Sequence, residues 1–448
     1  MTTSDNEHSH SASTRPTPLD LPNFVPWACY QLEAPFTVKV LVSVQGEYLK
    51  PEDRSKKPRR SVGPAAAPAP SDSQDQESEI VPQCYDDTVI VLKAIMDTHA
   101  HLVELVFFRC VEIPRLLLKI IGCCLPFQSH LYRLTVRWGP LTTAGLYEFG
   151  KYLTLCQLSE VCLDDSPVAG RNYEVLLTEP NLLRSLSLAR CKLDDDDCVK
   201  IAQLLEYPKP AAKLLSILNL VSNIIGDRGA SALGQMLRSN RTLKYLNLAG
   251  NSISDIGAGY ILKSLMEFLM THKEIVEKRA RFLDYLKLKF DVYKKCLIEL
   301  NQSQEEPRPV RRKTLIRSAV EVLQSRAEAM TLELVGAYCD PFTRDCTTSR
   351  GGHLYCLGNL TLTCLNLSYN NLQYSSVVLL HDVLSHQSWI SSKPGTGLLR
   401  INVDGNDLPV DCDEWGYIDE LLDRSQGMRS KSYKRPYDKI KSRASRIN

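Results

Sequence analysis

The residues best suited to metal chemistry lie in one stretch near the end of the chain: Cys339, Cys346, His353 and Cys356. Thiolate and imidazole are ligands that Zn²⁺ prefers, but structural zinc sites usually present them as closely spaced C-x-x-C pairs. Here six residues separate each of the first three. The spacing therefore favours ordinary thiols in a loop, and we expect no bound metal and no cofactor.

Two other polar groups also lack the geometry of a site. His99 and His101 do not have the i, i+4 spacing that brings two imidazoles to one metal. The acidic run at residues 194–197 lacks the alternating oxygen ligands of a calcium loop and is typical of a helix start. The sequence contains no phosphate-binding loop, Rossmann glycine motif, HExxH motif or nucleophile elbow. We therefore predict that the protein is not an enzyme.

Composition and charge narrow the choice of partners. The chain has 448 residues and a formal net charge of +2, so no overall field attracts it to nucleic acid. No uncharged run approaches the roughly 18 residues of a membrane span, and the polar start does not resemble a secretory signal. We therefore expect a cytoplasmic protein with no membrane partner and no small-molecule substrate. Its fifteen cysteines are expected to be reduced.

The elements that position any binding residue are repeats. A frame of L-x-x-L-x-L-x-x-N-x-L recurs along the chain, with Cys replacing Asn in one copy, and its first six copies are 25 to 32 residues apart. Its copies begin at Leu102, Leu131, Leu158, Leu183, Leu215, Leu243, Leu362 and Leu398.

This frame predicts an α/β leucine-rich repeat solenoid. The L-x-L unit forms a short strand with one apolar face, and a helical pattern follows it. Because one repeat cannot bury its own apolar face, neighbouring repeats must stack. We therefore expect a curved solenoid with parallel strands on the concave side, helices on the convex side and a long helical insertion. The Asn of the frame is expected to bond backbone groups where the chain leaves the strand.

The insertion follows from the spacing between Leu243 and Leu362, which is 119 residues, about 91 more than one repeat needs. Residues 267–300 have apolar side chains at helical spacing, and residues 315–335 predict a second helix. The apolar stripe of the first helix requires a cover, which is either the second helix, the convex flank or a partner helix.

The resulting organisation has seven segments. We expect a disordered start at residues 1–22, a strand or cap segment at 23–48, a flexible linker at 49–79, a first repeat block at 80–266, a helical insertion at 267–357, a second repeat block at 358–423 and a basic tail at 424–448.

The sequence also carries resemblances. Residues 215–237 and 243–265 resemble the ribonuclease-inhibitor subclass of leucine-rich repeats, and the run at 271–279 resembles the leucine-rich repeat-containing protein 71 family. In that family a charged insertion also interrupts the repeats. The resemblance implies a non-enzymatic interaction protein associated with ciliated and sperm cells, in the cytoplasm, axoneme or cytoskeleton. The present insertion is more helical and apolar than the family's.

The candidate binding residues are those that point away from the core on the strands. We single out Phe108, Arg133, Arg137, Glu160, Asp164, Tyr245, Asn247, Arg400 and Asp404. Cross-strand pairing is expected to place Arg133 beside Glu160 and Arg137 beside Asp164, where the charges either bind a partner or neutralise one another. Asn219, Asn247, Asn366 and Asn402 occupy one place in the frame and are expected to form a ladder. The predicted function is a protein-interaction scaffold, and the alternative is a regulator that masks an enzyme or small G-protein.

Overall fold

A computed structural model describes residues 15–45, 89–108, 112–137, 139, 141–302, 313–390, 395–409 and 412–426, with only the backbone at 313–320. The chain divides into two compact units. Unit 1 consists of Met1–Leu204 with Leu214–Ile224, and unit 2 consists of Leu205–Lys213 with Ile225–Asn448. Most of the predicted disordered start, all of the predicted linker and nearly all of the basic tail lie outside the described residues.

Unit 1 contains a seven-stranded sheet and five α-helices among its described residues. The strands are β1 Thr37–Val44, β2 Val89–Met96, β3 Leu102–Phe108, β4 Arg133–Arg137, β5 Glu160–Cys162, β6 Ser185–Ser187 and β7 Ile217–Asn219. The helices are α1 Leu21–Gln31, α2 Arg115–Cys124, α3 Thr143–Leu155, α4 Val175–Thr178 and α5 Asp195–Leu204. The strands lie in chain order and are parallel, except that β2 and β3 are antiparallel.

The register of unit 1 stacks the central apolar residue of each repeat on its neighbour. The aligned residues of β3 to β7 are Leu105, Leu134, Val161, Leu186 and Leu218. All five are buried. The alternation of the L-x-L frame therefore becomes a continuous apolar ladder across the sheet.

Two details of unit 1 reflect local sequence. The segment at 23–48, expected to be a strand or cap, contains strand β1, and helix α1 before that strand has no counterpart in the prediction. The shortest repeat, between Leu158 and Leu183, has room for only the four-residue helix α4. There the buried Tyr173 hydroxyl accepts from the Val168 N–H at 3.0 Å and donates to the Ser166 carbonyl at 2.7 Å. These bonds replace the helical turns that the short repeat lacks.

Unit 2 contains two sheets and six α-helices among its described residues. Parallel strands β8 Tyr245–Asn247, β12 Cys364–Asn366 and β13 Arg400–Asn402 pair in the order β8-β12-β13. The antiparallel sheet β10-β11-β9 consists of β9 Phe268–Leu269, β10 Thr347–Arg350 and β11 His353–Cys356. The helices are α6 Asp227–Ser239, α7 Asp255–Lys263, α8 His272–Gln302, α9 Lys313–Val335, α10 Tyr374–Ile390 and α11 Asp413–Ser425.

The insertion leaves the repeat sheet of unit 2 unbroken, because β12 pairs directly with β8. The long helix is present as α8, but it begins at His272 and not at Glu267. Phe268 and Leu269 instead form β9. A capping box starts the helix: Thr271 Oγ1 accepts from the Glu274 N–H at 3.2 Å, and Glu274 Oε2 accepts from the Thr271 N–H at 2.7 Å.

Asparagine side chains link neighbouring repeats, as the frame predicts. Asn223 Oδ1 accepts from the N–H groups of Cys191 and Leu193, and its Nδ2 donates to the carbonyls of Leu188 and Leu220. In unit 2 Asn251, Asn370 and Asn406 accept from an N–H of the preceding repeat in the same way. Each amide therefore satisfies backbone groups at the turn after the strand.

The predicted fold class is confirmed as a solenoid-like α/β leucine-rich repeat fold, with stacked parallel strands and helices between most of them. Within the part of the chain that the structure describes, no helix combines the length and apolarity that crossing a membrane requires.

Candidate functional site

The charged candidates of unit 1 form a cluster across β3, β4 and β5. Arg133 lies in register between Glu104 and Glu160. Its Nε donates to Glu160 Oε2 at 2.7 Å, and its Nη1 lies 3.8 Å from Glu104 Oε2. Burial opposes ionisation of the guanidinium, but the hydrogen bond and charge of Glu160 outweigh it and raise the pKa of Arg133. The prediction that Arg133 lies beside Glu160 is therefore confirmed.

This cluster neutralises much of its own charge. Glu104 Oε1 also accepts from Thr135 Oγ1 at 2.8 Å, so both carboxylates already have partners. A partner that binds Arg133 must break the ion pair between Arg133 and Glu160, which joins two strands and is half exposed to water. Exposed ion pairs contribute little to stability, so this competition costs little.

The second predicted pair, Arg137 with Asp164, is wrong. Strand β5 ends at Cys162, so Asp164 lies in the following turn. There Asp164 Oδ1 accepts from Ser187 Oγ at 2.6 Å and from the Ala189 N–H at 2.9 Å. Arg137 is exposed at the end of β4, and it forms no ion pair with Asp164. Its guanidinium remains open to water.

Two positions that strand alternation places on the outward face, Val106 and Thr135, are buried. Val106 and Thr135 are in register with one another, and both lie below one-tenth exposure. Val106 is also aligned with Lys93 of β2, so strands cover it on both sides. Phe108, at the end of β3, is half-buried. The outward face of unit 1 is consequently less open at β3 and β4 than alternation alone predicts.

The candidates of unit 2 lie along β8 and β13, with β12 between them. Tyr245 aligns with Cys364 and then with Arg400, so the tyrosine and arginine are two strands apart, roughly 9–10 Å. Asn247 Nδ2 donates to the hydroxyl of Tyr245 at 3.2 Å, and both side chains are half-buried. Arg400 and Asp404 are exposed.

Asn247, Asn366 and Asn402 lie in register across β8, β12 and β13 as the expected ladder requires, but their side-chain amides do not bond to one another. The Oδ1 atoms of Asn219, Asn247, Asn366 and Asn402 each accept from the N–H two residues later in their own strand turn. Such short-range bonds are the Asx turns that Asn favours. The hydrogen bonds between repeats are made by the Asn of the frame, which lies at the turn where it reaches the preceding repeat.

Tyr369 is a candidate that the sequence frame missed. It follows β12 with a φ of 53°, and its side chain is 68% exposed. Its N–H donates to the carbonyl of Asp404 at 2.8 Å, and its ring lies over Gly405. A Cβ at Gly405 would lie 2.4 Å from that ring, so only glycine permits this approach. The signal in the sequence was an aromatic residue directly before the two asparagines of the turn.

Tyr369, Arg400, Asp404 and Gly405 together form what we call the Tyr369 patch of unit 2. It combines an exposed aromatic ring with a cation and a carboxylate, all on or after strands β12 and β13. Tyrosine and arginine are the residue types that most often dominate binding energy in protein interfaces.

The four possible zinc ligands are spread over a loop, a turn and strand β11. Cys356 is buried in β11, where Arg241 Nη2 lies 3.6 Å from its Sγ, and burial raises its pKa. Cys339 is exposed, whereas Cys346 and Cys356 lie in or next to the small antiparallel sheet. Among the described residues, no three His, Cys, Asp or Glu side chains come together in a way that suits a metal ion.

Comparison with known proteins identifies the repeats. The sequence model of the family described as Leucine Rich repeat matches residues 180–202, 212–234, 239–262 and 358–380. Protein NLRC5 of Homo sapiens is 30% identical over 110 residues, which are 25% of this chain and 6% of that protein. Ribonuclease inhibitor of Sus scrofa is 29% identical over 110 residues, 25% of this chain and 22% of that protein. The chain therefore spans less than a quarter of the length of these curated relatives.

Two solved structures are similar at low identity. Leiomodin-1 Actin-Binding Site 2 has a TM-score of 0.29 and 13% identity, and it covers 60% of this chain and 89% of that one. An internalin from Listeria monocytogenes has a TM-score of 0.32 and 11% identity, and it covers 78% of this chain and 55% of that one.

The sequence matches agree with the pattern of the frame. The chain contains leucine-rich repeats and is similar in them to ribonuclease inhibitor. Such repeats suggest a protein-interaction scaffold.

Proposed function

We propose that the protein is a non-catalytic scaffold that binds a protein partner through the outward face of its strands. The observation that carries this proposal is the Tyr369 patch, where an exposed ring lies against Gly405 next to Asp404, in the repeat whose strand β13 presents the exposed Arg400. A fixed aromatic side chain loses little entropy on binding and presents a large apolar area.

The partner-binding residues of this proposal lie in both units and need not contact one partner. They are Phe108, Arg133, Arg137, Glu160 and Asp164 of unit 1, and Tyr245, Asn247, Arg400 and Asp404 of unit 2 together with Tyr369. Arg137 and Arg400 are the exposed cations of the set, so a partner with carboxylates fits them best.

The setting we propose is a ciliary, axonemal or cytoskeletal assembly. The support is the resemblance of residues 271–279 to the leucine-rich repeat-containing protein 71 family, together with the charged insertion between repeats. Proximity labelling from the full chain in ciliated cells tests this setting. Enrichment of axonemal proteins supports it, and a profile equal to that of a freely diffusing control protein contradicts it.

Variants of the Tyr369 patch test the binding surface. Tyr369→Ala with Arg400→Glu should reduce capture of the labelled partners by at least about tenfold, because truncation of a hot spot costs about 2 kcal/mol or more and tenfold corresponds to about 1.4 kcal/mol. The matched control is Tyr260→Ala, which removes a 52% exposed tyrosine from helix α7. Equal capture by the patch variant and the control, with unchanged melting temperatures, rejects the patch as the binding surface.

A soluble regulator that masks an enzyme or small G-protein is the second candidate. Its support is the 29% identity with ribonuclease inhibitor, whose name states an inhibitory role. Co-sedimentation with axonemes after salt extraction favours the scaffold. A soluble one-to-one complex with an enzyme, measured by light scattering after chromatography, favours the regulator.

A further inference from the structure

The helices of the insertion cover one another along only part of their length. Cys296 and Leu300 of α8 pack on Ala327 of α9, and the Tyr285 hydroxyl donates to the Gly336 carbonyl at 3.1 Å. These contacts make α8 and α9 an antiparallel hairpin. Helix α9 therefore covers the apolar side chains near the C-terminal end of α8 but leaves those in the middle of α8 exposed.

The uncovered apolar residues of α8 follow a heptad spacing. Leu283, Leu286 and Phe290 recur at intervals of three and four and are 55%, 42% and 56% exposed. We call these three residues the outer seam. The same spacing continues through Tyr293 to Leu297, where both side chains already pack against the hairpin cluster. A repeat of three and four is the pattern by which one helix packs along another.

The heptad spacing continues toward the start of α8 through Arg279 and Val276. Arg279 lies four residues before Leu283, and its charge ends the apolar run of the outer seam. Val276, three residues earlier, is 47% exposed. From Val276 to Phe290, the last position whose side chain is open, the pattern spans two heptads, roughly 20 Å of helix. This length suits a partner segment of about the same number of residues.

The charged residues at the flanking positions of the outer seam are lysines. Lys287 follows Leu286, Lys294 follows Tyr293, and Lys289 precedes Phe290. Lys287 Nζ lies 3.5 Å from Asp284 Oδ1 on the same helix, but this pair is exposed to water, so a partner carboxylate can replace it at little cost. The Lys294 ammonium lies 4.2 Å from the centre of the Phe290 ring, so this cation is held against the apolar surface. The other flanking positions of the pattern are uncharged: Ala280, Phe282 and Cys296. Flanking charges of a coiled coil select its partner.

This sign disfavours two coverings from the chain itself. A second copy would set lysines against lysines in either helix direction, and like charges across such a contact repel. The sequence at 424–448 has nine Lys and Arg against Asp438 alone, so it carries the same sign. Carboxylates at the flanking positions of a different helix would instead pair with all three lysines.

We propose that the outer seam binds an amphipathic helix of a partner protein, with apolar residues at heptad spacing flanked by Glu or Asp. This inference rests on the proposed scaffold function, because it names the chemistry of one of the scaffold's partners. The contact is a coiled coil between α8 and the partner helix, and it lies within unit 2, on the insertion and not on the Tyr369 patch.

Binding of a synthetic probe tests the inference on the full chain. The probe is a fluorescent peptide of about three to four heptads with Leu or Ile in the seam and Glu at the flanking positions. Fluorescence anisotropy should show saturable binding, weakened at least about tenfold by Leu283→Ser. The control is Leu288→Ser, which removes the same residue type at 54% exposure from the same helix but outside the seam. It should bind the probe like the unaltered chain.

A charge exchange tests the sign of the partner. Lys287→Glu with Lys294→Glu should lose the Glu-flanked peptide and gain a peptide with Lys at the same positions. Both lysines are exposed, so folding should persist, and a thermal melt checks this.

Four results overturn the inference. They are absence of binding by the unaltered chain, equal loss in the two leucine variants, equal binding of Glu- and Lys-flanked peptides, and a concentration-dependent dimer that Leu283→Ser abolishes. The last result would show that a second copy covers the seam. Partner capture by the Tyr369 patch variants tests the scaffold function separately from peptide binding, because those variants do not alter α8.

Discussion

Leu246 shows how a single side chain supports the repeats. It is fully buried in β8 and aligned with Leu365 of β12, so its methyl groups lie inside the apolar ladder. Leu246→Ala should lower the free energy of unfolding by about 2–5 kcal/mol, because a cavity remains where the side chain was. A thermal melt that shifts by less than about 1 °C would contradict this enclosure. The exposed Leu288 of α8 serves as the control position.

Glu274 fixes the start of α8 to the repeats. Its carboxylate caps the helix and accepts from Arg238 Nε at 2.7 Å and Nη2 at 2.8 Å. Burial raises the pKa of Glu274, but the hydrogen bonds from Arg238 and Thr271 outweigh burial and hold it below its ordinary value of 4.5.

Glu274→Gln should destabilise the protein by about 1–3 kcal/mol at neutral pH, the usual range for a lost hydrogen bond to a charged group. Because the folded pKa is depressed, the stabilisation by Glu274 is present above pH 4.5 and is lost as the pH falls through the folded pKa. Denaturant melts of both proteins at pH 7 and near pH 3 measure this. A difference between the proteins that is as large at low pH as at pH 7 would refute the role of the charge.

At the scale of elements, the hairpin of α8 and α9 has its own buried cluster. At its base Arg281 Nε donates to the buried Asp340 Oδ2 at 2.7 Å, and the Arg281 guanidinium lies 5.2 Å from the centre of the Tyr207 ring in the rest of unit 2. The tip cluster of Cys296, Leu300 and Ala327 lies beyond that base.

Replacing residues 289–332 by a short Gly/Ser linker should therefore keep the melting temperature of the repeats within a few degrees, since the base contacts remain. The shortened chain should lose binding of the Glu-flanked peptide, because Phe290 and Lys294 are removed. Unfolding of the repeats at a much lower temperature would show that the hairpin tip belongs to their core. A full-length chain melted in parallel provides the comparison.

At the scale of the whole molecule, the cysteines are dispersed thiols. The thirteen described cysteines are free, and burial raises the pKa of Cys124 and Cys191 to about 12. A raised pKa leaves little thiolate near neutral pH, so these side chains should react slowly in the folded protein.

Alkylation near pH 8 without reductant should modify the exposed Cys123 and Cys339 first, and unfolding should then expose all fifteen cysteines to label. Mass spectrometry counts the labels, and a reduced sample gives the full value. Any set of cysteines that labels only after reduction would reveal disulfides and contradict the expected free thiols.

The repeat architecture was predictable from the sequence alone. The L-x-L alternation, the frame asparagine and the spacing between repeats each act over one repeat and its neighbour, so a linear pattern records them. Leu246 in the core, Asn223 at the turn and the insertion between β8 and β12 follow directly from that pattern. The spacing also predicted that the chain would leave and rejoin one sheet.

The tertiary structure determined features that the two-residue period of the strands does not specify. The pairing of Arg133 with Glu160 but not of Arg137 with Asp164 depends on where β5 ends. The exposure of Tyr369 depends on a left-handed turn and on Gly405 in the next repeat, 36 residues away. Which face of α8 stays open depends on how far α9 reaches along it. Strand ends, turn conformations and helix contacts are set by residues distant in sequence, so local spacing leaves them undetermined.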